Sequence, residues 1–483
     1  MRSFLCSLSL VMCGLASAQP VHLQGLGTID FPNSGAEQAQ DPFIRGVLLL
    51  HSFEFGPAAE AFREAQTSDP DFALAFWGEA MTYNHPLWRE RDLEAGRGAL
   101  GRLAETPAER RALAQSEREA LYLDAVETLY TDGASKEAQD LAYLDAMRRL
   151  SEAYPEDDEA RTFLALAVLG STNGERDFTV YMRGAATALP VFQRNPNHPG
   201  AAHYIIHAFD DPVHAPLGLE AADAYSEIAP DAAHAQHMTS HIFVALGMWE
   251  RVVAANIRAM TVQDGQRAAS GRPPNACGHY SSWRHYGHLM LGQTDEAESL
   301  MDACHAQIED GSGSWFYFAA MRARHVIDTE DWSLAGRWLA EPERWDLSAD
   351  DPSVFGGAAF TYGLTNAIAA LMTGRTEEAE AFTAADWSLE HRGRALQMDQ
   401  LRGLLLLKGG QTEEGLALLR AAAEAEAGIP FEFGPPLIVK PGYELLAESL
   451  EQSGRDATAA YREAALRTPG RPMAESGKRL GSR

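Results

Sequence analysis

Small, large and proline positions recur along this chain at intervals that helices use. Ala58, Phe62, Ala65 and Pro70 run small, aromatic, small, proline, and Ala457, Tyr461, Ala464 and Pro469 repeat the order near the other end. Steps of three and four keep side chains on one helix face, whereas a strand needs alternation, and no sustained alternation occurs. Between these copies, "TGRTEEAEAF" (373–382), "GGQTEEGLALL" (409–419) and "LGQTDEAESLMDAC" (291–304) each read as the turn into a second helix. "MWERVVAANIRA" (248–259) is a looser version. Upstream, Thr106, Pro107 and Glu109 supply a cap, a first-turn proline and a capping box for a helix through "ALYLDAVETLY". The fold class is all-α.

Small residues let two antiparallel helices approach, a large ring fills the gap, and proline ends the second helix. These residues resemble the tetratricopeptide repeat (TPR), a helix-turn-helix unit of about 34 residues. The resemblance runs unevenly over 39–470, strongest at 39–85 and from 355, weakest at 90–200. It implies a right-handed superhelical solenoid of stacked TPR-like helix hairpins, each covering its neighbour's apolar face. It also implies a protein or peptide ligand in the concave groove. The organisation expected is an N-terminal segment (19–38), TPR-like hairpins (39–106), divergent helical repeats (107–200), histidine-rich repeats (201–310) and further repeats (311–427). A proline- and aromatic-rich loop (428–442) and a last hairpin with a tail (443–483) complete it. That loop either caps exposed core or folds over a groove as a lid, with Glu432 or Lys440 facing a ligand. Residues 264–278, polar and proline-bearing, are expected as another loop.

Charge and cysteine usage narrow the function classes. The first eighteen residues carry Arg2, a short apolar run and Ala16-Ser17-Ala18, the layout of a secretory signal peptide. An exported, periplasmic or extracellular protein follows, with a lipid anchor at Cys13 disfavoured by bulky Met12. No later stretch is long and apolar enough for a transmembrane segment. The net charge of −28 disfavours nucleic acid and anionic membranes as partners. Removing the leader leaves two cysteines, Cys277 and Cys304. One precedes its first helix and the other falls late in the second, so an antiparallel hairpin brings them together as a disulfide.

Histidine is where the sequence departs from a plain scaffold. Six of the chain's 16 histidines fall within 203–243. His203 and His237 are one repeat apart, as are His207 and His241, and as are His51 and His85. Equivalent places on successive repeats are neighbours in a stack. Within one helix, His203 and His207 share a face, and His234, His237 and His241 span an arc of about 60°. Counting from the following turn puts this stripe in the groove, whereas counting from Met238, Ile242 and Ala245 puts His241 at the helix–helix seam. Either way the rings cluster. Neutral imidazoles suit a divalent transition metal such as zinc, copper, iron or nickel. The candidate ligands are therefore His203, His207, His234, His237 and His241, with His214 and His279 secondary. Asp210 and Asp211 are placed to orient a ring from behind. His51, His85 and Glu79 form a candidate polar pocket, near the cluster only if the superhelix curls tightly. The alternative for the cluster is seam packing without metal. No H-E-x-x-H, G-x-S-x-G or phosphate-cradling loop is present, so an enzyme reading names no substrate.

Overall fold

The computed structural model describes residues 21–23, 25–172, 176–339, 357–387, 389, 391–431, 433–472 and 474. The expected signal peptide (1–18) and Glu432 lie outside the described residues. The helices are α1 (Glu37–His51), α2 (Phe55–Ser68), α3 (Ala73–Met81), α4 (Leu93–Leu103), α5 (Pro107–Leu113), α6 (Glu117–Leu129), α7 (Lys136–Ala153), α8 (Asp158–Gly170), α9 (Phe178–Arg194), α10 (Pro199–Phe209) and α11 (Ala215–Ile228). They continue with α12 (Ala233–Ala245), α13 (Trp249–Ala269), α14 (His279–Met290), α15 (Thr294–Glu309), α16 (Trp315–Thr329), α17 (Ala358–Met372), α18 (Thr376–Ala384), α19 (Arg392–Lys408), α20 (Thr412–Ala427), α21 (Gly442–Gln452) and α22 (Thr458–Arg467). Two short antiparallel ribbons, β1 (Val21–Leu23) with β2 (Gly27–Ile29) and β3 (Asn84–His85) with β4 (Glu90–Arg91), are the strands among the described residues.

Most helices pack on the helix before and the helix after, the signature of a hairpin array. Phe62 shows the pattern: it is fully buried where α2 meets α1 and α3, against Gly46 and Gly78. The Thr106–Glu109 capping box forms, with the Thr106 hydroxyl accepting from the Glu109 amide and the Glu109 carboxylate accepting from the Thr106 amide. Cys277 and Cys304 are bonded, tying the entry of α14 to α15. The expected loop at 264–278 is shorter than its composition suggests. Helix α13 continues to Ala269, because 264–269 contain no residue that stops a helix except Gly265, and Pro273 comes only later.

The array curls back on itself. Near the N-terminus, Gly200 lets α10 press against the end of α1, where an added Cβ would lie 2.3 Å from His51 Nδ1. At the other end, Trp249 Nε1 donates to the Gly470 carbonyl (2.7 Å) at the start of α13. Arg471 then reaches a buried hub, donating to Glu444, Asp328 and the Tyr286 hydroxyl. Both ends of the array thus close on the middle repeats.

Gly247 sits at that closure with φ +67°, and a Cβ there would stand 2.7 Å from the Pro469 carbonyl oxygen. Gly247→Ala combines left-handed strain with a backbone clash and should destabilise by more than about 1 kcal/mol. Denaturant unfolding measures this, and a midpoint equal to that of the parent would contradict the docked C-terminal end.

Candidate functional site: a buried histidine interior

Helices α10 and α12 are adjacent first helices, and each is buried along its whole length. Their histidines therefore do not line an open groove. The tight curl places the end of α1 on one side and the loop 428–441 on the other, so the rings are enclosed. His203, His237 and His241 are at most 3% exposed, His207 5% and His234 9%, too little for a solvent-facing stripe.

The rings form two triads. In the first, His237 Nε2 lies 3.1 Å from His241 Nε2 and 2.9 Å from His279 Nε2. The hydrogen bonds on the far side of each ring settle two tautomers. The Asn256 amide donates through Nδ2 to the Val252 carbonyl, which turns its Oδ1 toward His237 Nδ1 at 2.8 Å. His237 Nδ1 therefore carries the proton and its Nε2 carries a lone pair. His241 Nδ1 donates to Asp210 Oδ2 at 3.0 Å, so its Nε2 is a lone pair as well. His279, whose Nδ1 faces the Tyr317 hydroxyl at 3.2 Å, can donate to His237 Nε2, but no proton is left to bridge the 3.1 Å between His237 and His241.

The second triad is His203, His207 and His234, whose ligand atoms lie within 4.8 Å of one another. His203 Nδ1 donates to the His51 carbonyl at 2.6 Å, across 152 residues of sequence. His207 Nδ1 faces Asp210 Oδ2 at 3.5 Å. The Nε2 atoms of all three rings are buried without a hydrogen-bond partner. Asp210 serves both triads, and its other oxygen accepts from Arg176. Burial alone would push this carboxyl up, but Arg176 and the two imidazoles outweigh it and hold it far below the usual range.

Burial also makes five of the rings poor bases. It drives His203, His234 and His237 well below the ordinary imidazole value, with neighbouring rings adding to the effect. His241 is lowered by burial despite Asp210, and His279 is pushed down to about 3. These are neutral nitrogen donors at neutral pH. Aromatic walls close the site: Trp283 and Phe433 stack on His241 at 4.6 and 5.1 Å, and Phe53 meets His203 at 4.3 Å. Phe433 belongs to the loop 428–441, which thus covers the histidines. Lys440 does not face them, because its Nζ pairs with Glu448 at 2.7 Å and Glu444 at 3.5 Å.

The remaining sequence candidates divide. His279 joins the first triad. His214 lies apart, with Nδ1 on Asp211 (2.9 Å) and its ring on Phe178, because the turn after α10 carries it outward. His51, His85 and Glu79 do not share a pocket. His51 contacts Tyr204 and Glu159, and His198 adds a contact to the same carboxylate. The imidazole nitrogens of this third group are spent on Tyr204, Glu159 and the Ala201 amide. His85 lies in the β3 ribbon past α3, stacked on Phe55. Glu79 is held by Arg63, Gln66 and Arg102. Sequence reasoning missed Asn256, Arg176, Trp283 and Phe433. Asn256, fully buried on an otherwise apolar helix face, was the one visible signal.

No family model matches the chain, and no curated protein matches it. Solved structures similar to it include the Cut9–Hcn1 hetero-tetramer of the APC/C, at 11% identity and TM-score 0.38, covering 93% of this chain and 77% of that one. Yeast Tom70 is similar at 11% identity and TM-score 0.34, covering 92% and 96%. Human IFIT1, solved as a dimer with m7Gppp-AAAA, is similar at 12% identity and TM-score 0.38, covering 94% and 92%. The fold assignment rests on the helix pairing itself. The chain is a TPR-like array of helix hairpins.

Unfolded histidines titrate near 6.5, whereas the buried rings resist protonation. Below that pH the unfolded chain takes up protons that the folded one refuses. Stability of the metal-free protein is therefore fully present above about pH 6.5 and lost as pH falls, by up to about 1.4 kcal/mol per unit for each such ring. Melting after chelation should show a lower midpoint at about pH 5.2 than at pH 7, a window above most carboxylate titration. An unchanged or higher midpoint would contradict the neutral, buried triads.

Proposed function

We propose that this protein is an exported TPR-like scaffold that binds a transition metal ion through His237, His241 and His279. One observation carries the reading: the Nε2 atoms of His237 and His241 lie 3.1 Å apart with no proton of their own between them, because both opposite nitrogens are committed as donors. Two unprotonated nitrogens at that distance repel, and a cation between them removes the repulsion. An ion bound at about 2.1 Å sets neighbouring nitrogens about 3.4 Å apart in a tetrahedral shell, a small expansion of the triad. The neutral all-nitrogen donor set suits zinc, copper, iron or nickel and excludes magnesium or calcium as the natural occupant. Asp210 and Asn256 would orient the ligand rings from behind. Three nitrogens leave a fourth position for water, which is the requirement for metal-assisted hydrolysis, although no residue pattern names a substrate.

Export is supported by the leader-like first eighteen residues and by the Cys277–Cys304 bond, which suits an oxidising compartment. Among the described residues no helix is long and apolar enough to cross a membrane. A second reading, partner binding, has its own support. A cavity of about 620 Å³ opens along α16, α17, α19 and α21, walled by Ile327, Ile368, Leu404 and Leu445, with Lys440 and Glu448 inside it. That groove lies on the first helices of successive hairpins, where a peptide segment fits.

Elemental analysis of untagged protein purified without chelators tests the metal reading. The parent should carry at least one equivalent of transition metal. The His237→Ala/His241→Ala variant should lose about one equivalent relative to the parent while keeping its helical circular dichroism. A metal-free parent that also fails to take up zinc, copper, iron or nickel on add-back would sink it.

A further inference from the structure

We propose that the interior holds two ions side by side, the second bound by His203, His207 and His234, with Asp210 as a carboxylate serving both centres. The inference rests on the metal reading of the first triad, but its evidence is separate.

The three rings that come within 4.8 Å of one another by a ring nitrogen each carry a buried Nε2 without a partner. A buried unpartnered polar atom costs about 1–3 kcal/mol, so three in one cluster is a concentrated cost unless something fills it. The rings do not relieve it among themselves, since none of the three Nε2 atoms meets a hydrogen-bond partner. His203 has spent its Nδ1 proton on the His51 carbonyl, and His207 turns its Nδ1 edge to Asp210. A water molecule supplies only two donors, so it satisfies three such nitrogens only where one of them presents N–H. A transition metal ion accepts from all three.

The size also fits. Nitrogens at most 4.8 Å apart need inward shifts of less than about 1 Å each to reach the spacing of a tetrahedral shell. The walls hold the rings for such a centre. Tyr225 stacks on His203 at 5.3 Å, Phe53 packs across His203 and His234, and the His234 amide is fixed by Glu54 Oε1 at 3.0 Å. The two triads touch through His207 and His241 (ring centres 5.6 Å apart) and through His234 and His237 (6.1 Å). Asp210 Oδ2 faces one imidazole of each triad, so a single positioning residue orients a ligand in both centres. Arg176 on the other oxygen keeps that carboxylate ionised and in place.

The test is a cobalt(II) titration of chelator-treated, full-length protein. It follows the visible d–d absorption of nitrogen-bound cobalt, which surface carboxylates do not reproduce. The parent should saturate at two equivalents. His203→Ala/His234→Ala should saturate at one, and His237→Ala/His241→Ala should also saturate at one. Asp210→Asn should keep two equivalents and full helical circular dichroism while weakening both sites by about 10–100-fold. A parent that saturates at one equivalent, kept by the first double variant and lost in the second, overturns the second ion and leaves the first centre standing. No nitrogen-type absorption in the parent overturns both. Should either double variant unfold, the parent's endpoint decides alone, at two equivalents or at one.

Discussion

A hydrogen-bond acceptor taken out of water must meet a donor or a cation. This chain buries five imidazoles and half-buries a sixth, His279, around two points, and the constraint shapes everything near them. In at least three rings the outer nitrogen is spent on a fixed partner: His203 on the His51 carbonyl, His237 on the Asn256 side chain and His241 on Asp210. That spending fixes the tautomers and turns the remaining lone pairs inward. The same low-polarity surroundings that make unpaired nitrogens costly also disfavour protonation of His203, His234, His237, His241 and His279, and the neutral form is the one a metal ion requires.

The solenoid supplies the enclosure. An open TPR-like array exposes its inner face, and histidines there would be solvated and free to turn. Here the end of α1 packs on α10, and the C-terminal segment returns to the α12–α13 turn through Trp249 and to α14 through Arg471. Phe433, from the proline-rich loop, completes the cover by stacking on His241 opposite Trp283. Gly434 permits this approach, since a Cβ there would stand 2.4 Å from the Trp283 ring. The scaffold's curvature is therefore part of the site's chemistry, because it sets the polarity in which the imidazoles sit.

Much of this was legible in the sequence, and the limits have physical causes. The small-large-small spacing places helix pairs correctly, since local packing of antiparallel helices depends on residues a few positions apart. The 34-residue histidine spacing was half informative. His207 does meet His241, but His203 pairs with His234 instead of His237. Along α12 the three rings fan out, so His234 turns toward α10, His237 turns toward α14, and His241 lies between His207 of α10 and Trp283 of α14. His51 and His85 share the same spacing and do not meet, because His85 has left the helix for a ribbon. Arg176 and Phe433 are not legible for another reason: each reaches the rings from a separate element, over contacts that no periodicity encodes.

The most direct measurement is anomalous diffraction from crystals of metal-loaded protein, recorded at the absorption edge of the ion. The account predicts a peak about 2.1 Å from the Nε2 atoms of His237, His241 and His279. A loaded crystal with its anomalous peaks only at surface carboxylates, and none between these nitrogens, would contradict it.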